Sequence, residues 1–319
     1  MRRFFLLLTA LTLALHAPAA SAADGKLTVV ATVFPAYDWT RVILGERAGQ
    51  VRLKLLFDNG VDLHSYQPTV NDMILVSSCD LFVGVGGASD NGLSGALSGA
   101  VNQRTAVIDL LASLGERARE EVPAAGETPE HHHHDHEHEE PELDEHVWLS
   151  LRHAQRFCRL IAEKLAALDP EGAPLYRANA AAYAAQLQAL DGEYAAMIAS
   201  AKRRTVVFAD RFPFIYMTED YGLEHYAAFR GCSAESEASF KTLAVLAGKV
   251  KELDLPAVLV LENSDRKIAA TVLRTAGGRE RKIVVMNSMQ SCTARDLERG
   301  TTYLSLMRDN LAALREALN

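Results

Sequence analysis

The sequence predicts an α/β protein with two (β/α) lobes, each built on a parallel sheet, joined by a long rigid connecting helix. Strand-like apolar runs alternate with helical segments over residues 27–110, and the alternation returns over residues 203–319. Such alternation indicates βαβ units and therefore parallel sheets. A helix-rich stretch, residues 146–202, separates the two halves. The length of 319 residues also suits two domains better than one core.

The first 22 residues predict a cleavable export signal. Met1–Arg3 is short and basic, Phe4–Leu15 is apolar, and Ala20–Ala22 fits the small-residue cleavage rule. A membrane anchor is the alternative, but the apolar run is shorter than the roughly 20 residues that span a bilayer. No later segment is long and apolar enough to span one. We therefore expect signal peptide 1–22 and an exported mature protein without direct membrane insertion.

Residues 23–119 are predicted to form the first lobe. Four β-branched or apolar runs predict its strands, and helical spacing fills the intervals, with Pro35 opening the first helix. In chain order, the predicted elements are strand 27–33, helix 36–48, strand 51–57, helix 69–78, strand 81–85, helix 91–101 and strand 105–110.

Residues 120–145 break this pattern and are predicted to form a disordered acidic loop rich in histidine. Residues 120–146 contain eleven Asp and Glu, seven His, and no Lys or Arg, so no apolar face is available to a core. Closely spaced imidazoles on such a loop would bind zinc weakly, because ordering the chain costs entropy. We favour a loop that gathers metal over an inert solvated loop. Its closely spaced histidines are His131, His132, His133, His134, His136 and His138.

Residues 146–202 are predicted to complete the first lobe and to connect it to the second. Asp169–Gly172 should end one helix and begin the next. A helix over residues 174–201 would be about 40 Å long. That length exceeds the need of a local crossover and suits a connector between lobes.

Residues 203–319 are predicted to form the second lobe. Its elements are strand 205–208, helix 212–220, an extended run 223–229, helix 237–253, strand 257–261, helix 265–276, strand 282–286 and a closing helix 302–318. In open parallel sheets, ligands bind outside the carboxyl ends of the strands. The residues that follow each strand are therefore the candidates for chemistry.

Charge and cysteine content limit the possible functions. The formal net charge of −8 argues against nucleic acid as a partner. Four cysteines allow three full pairings, and Cys232 with Cys292 is the favoured disulfide because both follow strand-like runs. No Cys-x-x-Cys spacing occurs, which argues against a thiolate zinc site.

Two histidines lie where a metal site could form. His64 follows the second predicted strand, and His146 ends the acidic loop before an apolar turn into a helix. Neutral imidazole is a common ligand of zinc and other late divalent ions. If the two loops converge, these side chains would begin a metal site.

The segments around these histidines resemble those of a known family. Gly60–Pro68 has the pattern Gly-x-x-x-His-x-Tyr-x-Pro, and Asp144–Ser150 reads Asp-Glu-His-Val-Trp-Leu-Ser. With the histidine loop and the long connector, they resemble the zinc/manganese-type (cluster A-I) solute-binding proteins of metal ABC transporters, in particular the zinc type. The resemblance covers about residues 27–318. It implies a periplasmic protein that holds one divalent metal between two lobes and delivers it to a membrane permease; we expect a monomer.

The resemblance transfers both histidines but leaves the other metal ligands open. The family adds a His or Glu after the first strand of the second lobe, where this chain offers Asp210. Asp210 could instead cap a helix that begins at Phe212. In a later loop, Asn287 stands where the family usually has Asp.

A further carboxylate, Glu262, follows the strand 257–261 and is a weaker candidate ligand. It could instead pair with Arg266 one helical turn away. Two imidazoles and few carboxylates favour Zn²⁺ over Mn²⁺, since manganese prefers oxygen-rich shells.

The sequence thus predicts a metal-binding protein of a transport system. Two alternatives stay open: an exported zinc metalloenzyme with Glu262 as its general base, and a metal-buffering or adhesion protein in which the histidine loop is the working part. Neither a His-Glu-x-x-His nor a Gly-x-Ser-x-Gly motif occurs, so we expect no enzymatic activity.

Overall fold

The computed structural model describes residues 26–127, 142–233 and 237–319. The predicted signal peptide 1–22 and the histidines at 131–138 lie outside the described residues. Within the described ranges the strands form two four-stranded sheets, and every pairing between neighbouring strands is parallel. The predicted fold class, two α/β lobes with parallel sheets, is confirmed.

The first lobe has the strand order β2-β1-β3-β4. Its elements are β1 (Leu27–Ala31), α1 (Phe34–Leu44), β2 (Val51–Leu55), α2 (Val70–Ser78), β3 (Leu81–Gly84), α3 (Asn91–Ser98) and β4 (Ala106–Asp109). Helix α1 ends earlier than predicted because Gly45 adopts a φ of 50°, a left-handed conformation that favours glycine and stops the helix.

Two helices, α4 (Leu151–Leu168) and α5 (Ala173–Ser200), connect the lobes. Helix α5 has 28 residues, so it is about 42 Å long. Its buried aromatic and aliphatic side chains recur every three or four residues, as at Tyr183, Leu187, Leu190 and Tyr194. This face packs on α1 of the first lobe and on the closing helix of the second, so α5 is the predicted long connector.

The second lobe has the strand order β6-β5-β7-β8. Its elements are β5 (Thr205–Phe212), α6 (Ile215–Tyr221), β6 (Glu224–Arg230), α7 (Phe240–Glu252), β7 (Ala257–Leu261), α8 (Lys267–Ala276), β8 (Lys282–Met286), α9 (Ala294–Glu298) and α10 (Tyr303–Leu318).

Strand β5 is longer than predicted, and this changes the position of Asp210. The strand runs to Phe212, with an irregularity in its pairing between Phe208 and Arg211. Helix α6 therefore begins only at Ile215. Asp210 lies inside a strand, so the alternative that it caps a helix starting at Phe212 is wrong.

One hydrophobic core extends through both lobes, and a second, separate core lies in the second lobe. Tyr303 joins the lobes: its ring packs edge-on against Trp39 at 5.1 Å, and its hydroxyl donates to the carbonyl of Trp148 at 2.7 Å. Trp148 Nε1 in turn donates to the carbonyl of Ser288 at 2.8 Å. Buried bonds of this kind hold the facing edges of the two lobes in a defined relation.

The ends of the predicted disordered loop differ from the prediction. Glu120 forms an antiparallel bridge with Leu143, and the Ala125 N–H donates to the carbonyl of Ala227 in β6 at 2.8 Å. Residues 120–127 thus run from the first lobe to the edge strand of the second. The described helices include none with both the length and the apolar character required to cross a membrane.

Candidate metal centre

His64 is placed by a short 3-10 turn, Leu63–Ser65, shortly after β2. Asp62 caps this turn, since its Oδ1 accepts the His64 backbone N–H at 3.0 Å. Leu63 is buried and anchors the turn to the core, whereas the His64 side chain keeps 12% of its surface exposed. The imidazole therefore projects from a rigid turn toward the space between the lobes.

His146 is placed by the buried segment that follows the histidine-rich loop. Val147, Trp148 and Leu149 form a 3-10 turn without solvent exposure, and His146 itself is fully buried. Asp144 Oδ1 accepts the His146 backbone N–H at 2.9 Å and lies 3.0 Å from Nδ1. A carboxylate at Nδ1 fixes the proton there and leaves the Nε2 lone pair free.

The two imidazoles face each other through their Nε2 atoms, which lie 3.1 Å apart. Two zinc–nitrogen bonds of about 2.0–2.1 Å at a tetrahedral angle would place the nitrogens roughly 3.3 Å apart. The observed separation suits a single ion bound by both rings.

The tautomer of His64 follows from a hydrogen-bond chain. Its Nδ1 lies 3.1 Å from Ser89 Oγ, and the Ser89 hydroxyl donates to Glu145 Oε2. Since the hydroxyl hydrogen is used on Glu145, Ser89 accepts from His64 Nδ1–H, which leaves the Nε2 lone pair free as in His146. Both rings are therefore arranged as neutral ligands.

Burial and neighbouring charges set the protonation of His64 and of the carboxylates near it. Desolvation, followed by the neighbouring His146, lowers the pKa of His64 to about 3, so the ring is neutral at physiological pH. Burial also raises the pKa of Glu145. For Asp62, burial opposes ionisation, but the hydrogen bond and positive charge of Arg211 prevail and lower its pKa.

Cys232, from the second lobe, lies beside the two histidines. His64, His146 and Cys232 form the potential metal-binding group: one atom of each could ligate a metal ion, and these three atoms lie within 4.8 Å of one another. Cys232 follows β6 in a turn, and its backbone N–H donates to Glu121 Oε1 at 2.6 Å. A cavity of about 340 Å³ adjoins the group and is lined in part by Glu142.

The predicted disulfide between Cys232 and Cys292 is not formed. All four cysteines are free thiols. Cys232 lies beside Glu121 and Asp144, whereas the surroundings of Cys292 include Asp296 and Glu262. Cys232 lies shortly after strand β6 of a parallel sheet, and this position is the same signal that identified the other candidate residues.

The other three predicted ligands have structural partners. Asp210 Oδ2 accepts the Leu261 N–H at 3.2 Å, which ties β5 to β7. Glu262 accepts both the N–H and the hydroxyl of Ser288 at 2.8 Å, rather than pairing with Arg266 as the alternative had it.

Asn287 is likewise engaged, since its Oδ1 accepts the Met289 N–H at 2.8 Å and its backbone N–H donates to Asn310 Oδ1 at 2.7 Å. Among the described residues, the potential metal-binding group contains neither Asp210 nor Glu262. These contacts stabilise the loops of the second lobe and engage the three side chains in hydrogen bonds.

Comparisons with known proteins agree with this geometry. Residues 29–317 match the family model described as zinc-uptake complex component A, periplasmic. The chain is 33% identical over 298 residues to the zinc-binding lipoprotein AdcA of Streptococcus pneumoniae, covering 92% of this chain and 56% of that protein. It thus spans about half the length of the first curated relatives it matches.

Two further proteins are similar over most of their own length. The high-affinity zinc uptake system protein ZnuA of Bacillus subtilis is 30% identical over 293 residues, covering 92% of this chain and 88% of that protein. The crystal structure of the Zn(II)-bound ZnuA-like domain of Streptococcus pneumoniae AdcA has a TM-score of 0.69 at 28% identity. That match covers 92% of this chain and 99% of the domain.

Proposed function

Because this chain belongs to the family of periplasmic zinc-uptake complex component A proteins, we propose that it captures a zinc ion between its lobes and delivers it to the permease of an ABC transporter. His64 and His146 are the ligands from the first lobe. The family consists of solute-binding transport proteins, which supports transport over hydrolysis. The ion is the cargo and is released to the permease.

One observation carries this proposal. Two neutral imidazoles present their Nε2 lone pairs to each other at 3.1 Å, and each ring is held from behind by a carboxylate, directly or through a hydroxyl. Lone pairs that face each other repel, and a divalent cation between them turns repulsion into two bonds. Carboxylates behind metal-binding imidazoles orient the rings and raise their basicity.

The remaining expectations complete the proposed function. Export by the signal 1–22 would place the mature chain in the periplasm, where it acts as a monomer. The histidines at 131–138 would collect zinc weakly and raise its concentration near the tight site. Zinc is preferred to manganese because imidazole suits late, borderline-soft ions.

Isothermal titration with zinc and with manganese, in the presence of a competing chelator, tests the proposal. We expect one tight zinc ion per chain and weaker manganese binding. His64→Ala and His146→Ala should each weaken the tight zinc step at least about 100-fold, equal to about 2.7 kcal/mol.

The matched control is His225→Gln, because His225 stacks on Phe212 with ring centroids 4.0 Å apart and is not part of the group. This variant should retain the tight step. Unchanged zinc affinity in both His64→Ala and His146→Ala would contradict the proposed function.

A further inference from the structure

Two imidazoles leave a captured zinc ion short of protein ligands. Zinc sites in proteins have three or four protein ligands in tetrahedral arrangement. Two carboxylates beside the pair already support the histidines: Asp144 holds His146 Nδ1, and Glu145 accepts from Ser89. Any further ligand that leaves these bonds intact must come from another part of the fold.

Cys232 lies within reach of the pair. Its Sγ and one ring nitrogen of each histidine lie within 4.8 Å of one another. A tetrahedral ion with a zinc–sulfur bond of about 2.3 Å and zinc–nitrogen bonds of about 2.0–2.1 Å places sulfur and nitrogen roughly 3.6 Å apart. The thiol therefore needs to move by only about 1 Å to complete three ligands.

The turn that carries Cys232 is fitted to this position on both sides. Gly231 is buried, and a Cβ at this residue would lie 2.8 Å from Asp144 Oδ2 and 2.9 Å from the carbonyl oxygen of Phe212. Only glycine allows β6 to end so close to the carboxylate that holds His146. On the other side, Glu121 accepts the Cys232 N–H at 2.6 Å.

We propose that Cys232 is the metal ligand from the second lobe and binds zinc as a thiolate together with His64 and His146. This inference rests on the proposed function of the site. On binding, the S–H bond breaks, its proton passes to solvent, and a sulfur lone pair forms the bond to zinc. No electron is transferred.

This ligand set has two consequences. Both histidines belong to the first lobe and Cys232 follows β6 of the second, so the ion itself connects the lobes. A thiolate also shifts the preference of the site toward zinc and other soft or borderline ions, and away from manganese. Cys232 would then contribute to selectivity as well as affinity.

Cobalt(II) substitution tests the sulfur ligand directly. Wild-type protein loaded with Co²⁺ should show a near-ultraviolet sulfur-to-cobalt charge-transfer band. Cys232→Ser should abolish this band while the visible bands of histidine-bound cobalt persist. Cys292→Ser is the matched control, since Cys292 is also a free thiol but is not part of the group, and it should retain the band.

Zinc and manganese affinities of Cys232→Ala provide the second measurement. We expect zinc binding to weaken at least tenfold, which is about 1.4 kcal/mol, and manganese binding to change much less. If Cys232→Ala keeps wild-type zinc affinity while His64→Ala loses it, this inference fails and the proposed function stands. If neither variant changes zinc affinity, the proposed function itself fails.

A third measurement needs no variant and so does not depend on how Cys232 substitutions fold. Cys232 is half-buried whereas the other three cysteines are buried, so its modification by iodoacetamide can be followed separately in the metal-free protein. Zinc at one equivalent should slow this modification, followed by peptide mass spectrometry. Equal rates with and without zinc, together with no charge-transfer band in wild-type protein, would overturn the inference.

Discussion

Arg211 of the second lobe donates a hydrogen bond of 2.7 Å from Nη2 to Oδ2 of Asp62 in the first lobe. The other carboxylate oxygen of Asp62 caps the turn that holds His64. The position of a proposed zinc ligand in one lobe thus depends on a side chain from the other. The carboxylate and the guanidinium keep 22% and 24% of their surface exposed, so the ion pair is only partly screened by water.

Loss of this pair should loosen the contact between the lobes. We expect Arg211→Met to lower the free energy of unfolding by about 1 kcal/mol, the upper end for partly exposed pairs, and to speed zinc release. Urea unfolding and stopped-flow chelator exchange measure the two effects. Arg177→Met is the matched control. Arg177 of α5 pairs with Glu163 of α4, so this ion pair lies within the two connecting helices, and both side chains are more than half exposed. An equal release rate in both variants would argue against a role for Arg211.

The hydroxyl of Ser89 should matter for zinc although it touches no metal. Ser89→Ala removes the group that fixes the His64 tautomer and links it to Glu145. Because the loss of such supporting bonds typically lowers metal affinity about 10- to 100-fold, we expect a decrease in that range by competition titration. Ser94→Ala serves as control, since the Ser94 hydroxyl only donates to the Asn91 carbonyl within the first helical turn of α3. Wild-type affinity in Ser89→Ala would refute the proposed chain.

Substitution of Asp210 distinguishes a structural role of this residue from a role as metal ligand. Its carboxylate accepts the Leu261 N–H, so Asp210→Ala should destabilise the protein by about 1–3 kcal/mol by leaving that donor unpaired. Zinc affinity should remain within about threefold of wild type, less than 0.7 kcal/mol. Thermal unfolding and zinc titration on the same variant decide the question. A large loss of affinity at unchanged stability would instead identify Asp210 as a ligand.

The stability of the metal-free protein should depend on pH through His64. The folded state lowers the pKa of this ring from 6.5 to about 3. Between these values the unfolded chain binds a proton that the folded chain does not, so stability falls as pH falls from 6.5 toward 3. The contribution of one histidine has a slope of at most about 1.4 kcal/mol per pH unit.

His64→Gln should reduce this slope, as measured by urea unfolding of metal-free protein at several pH values. A residual slope of the same sign is expected from His153, because burial lowers its pKa to about 4. Identical slopes for the variant and wild type would contradict the protonation state assigned to His64.

The histidine run should be separable from the tight site. Replacing residues 128–141 with a short Gly/Ser linker leaves Glu120, Leu143 and Asp144 in the chain, so the bridge at the base of the loop and the support of His146 are retained. We expect the weak zinc class to disappear from the titration and the tight step to stay within about tenfold, or 1.4 kcal/mol. Loss of the tight step in this deletion would mean that the loop is the binding site.

The alternation of strands and helices was readable from sequence because it is a local property. Strands β7 and β8 have the predicted bounds, and α5 differs from its prediction by one residue at each end. Helix α9 (Ala294–Glu298) was not predicted, and most other differences lie at the ends of elements. Helix α1 stops at Leu44 because Gly45 has a positive φ of 50°. Strand β5 continues to Phe212 because β6 pairs with it to that residue.

The sequence by itself determined the fold class and identified the two histidines of the proposed site, since each histidine lies in a local motif whose neighbours shape its turn. Only the tertiary structure decided the partners of Cys232 and Asp210. Cys232 reaches the histidines because β6 is an edge strand beside residues 120–127 and because Gly231 leaves room next to Asp144. Asp210 points to the backbone of β7 because the two strands are neighbours in the sheet. Such contacts join residues far apart in the chain, and their distances depend on how whole elements pack, which no local pattern of residues records.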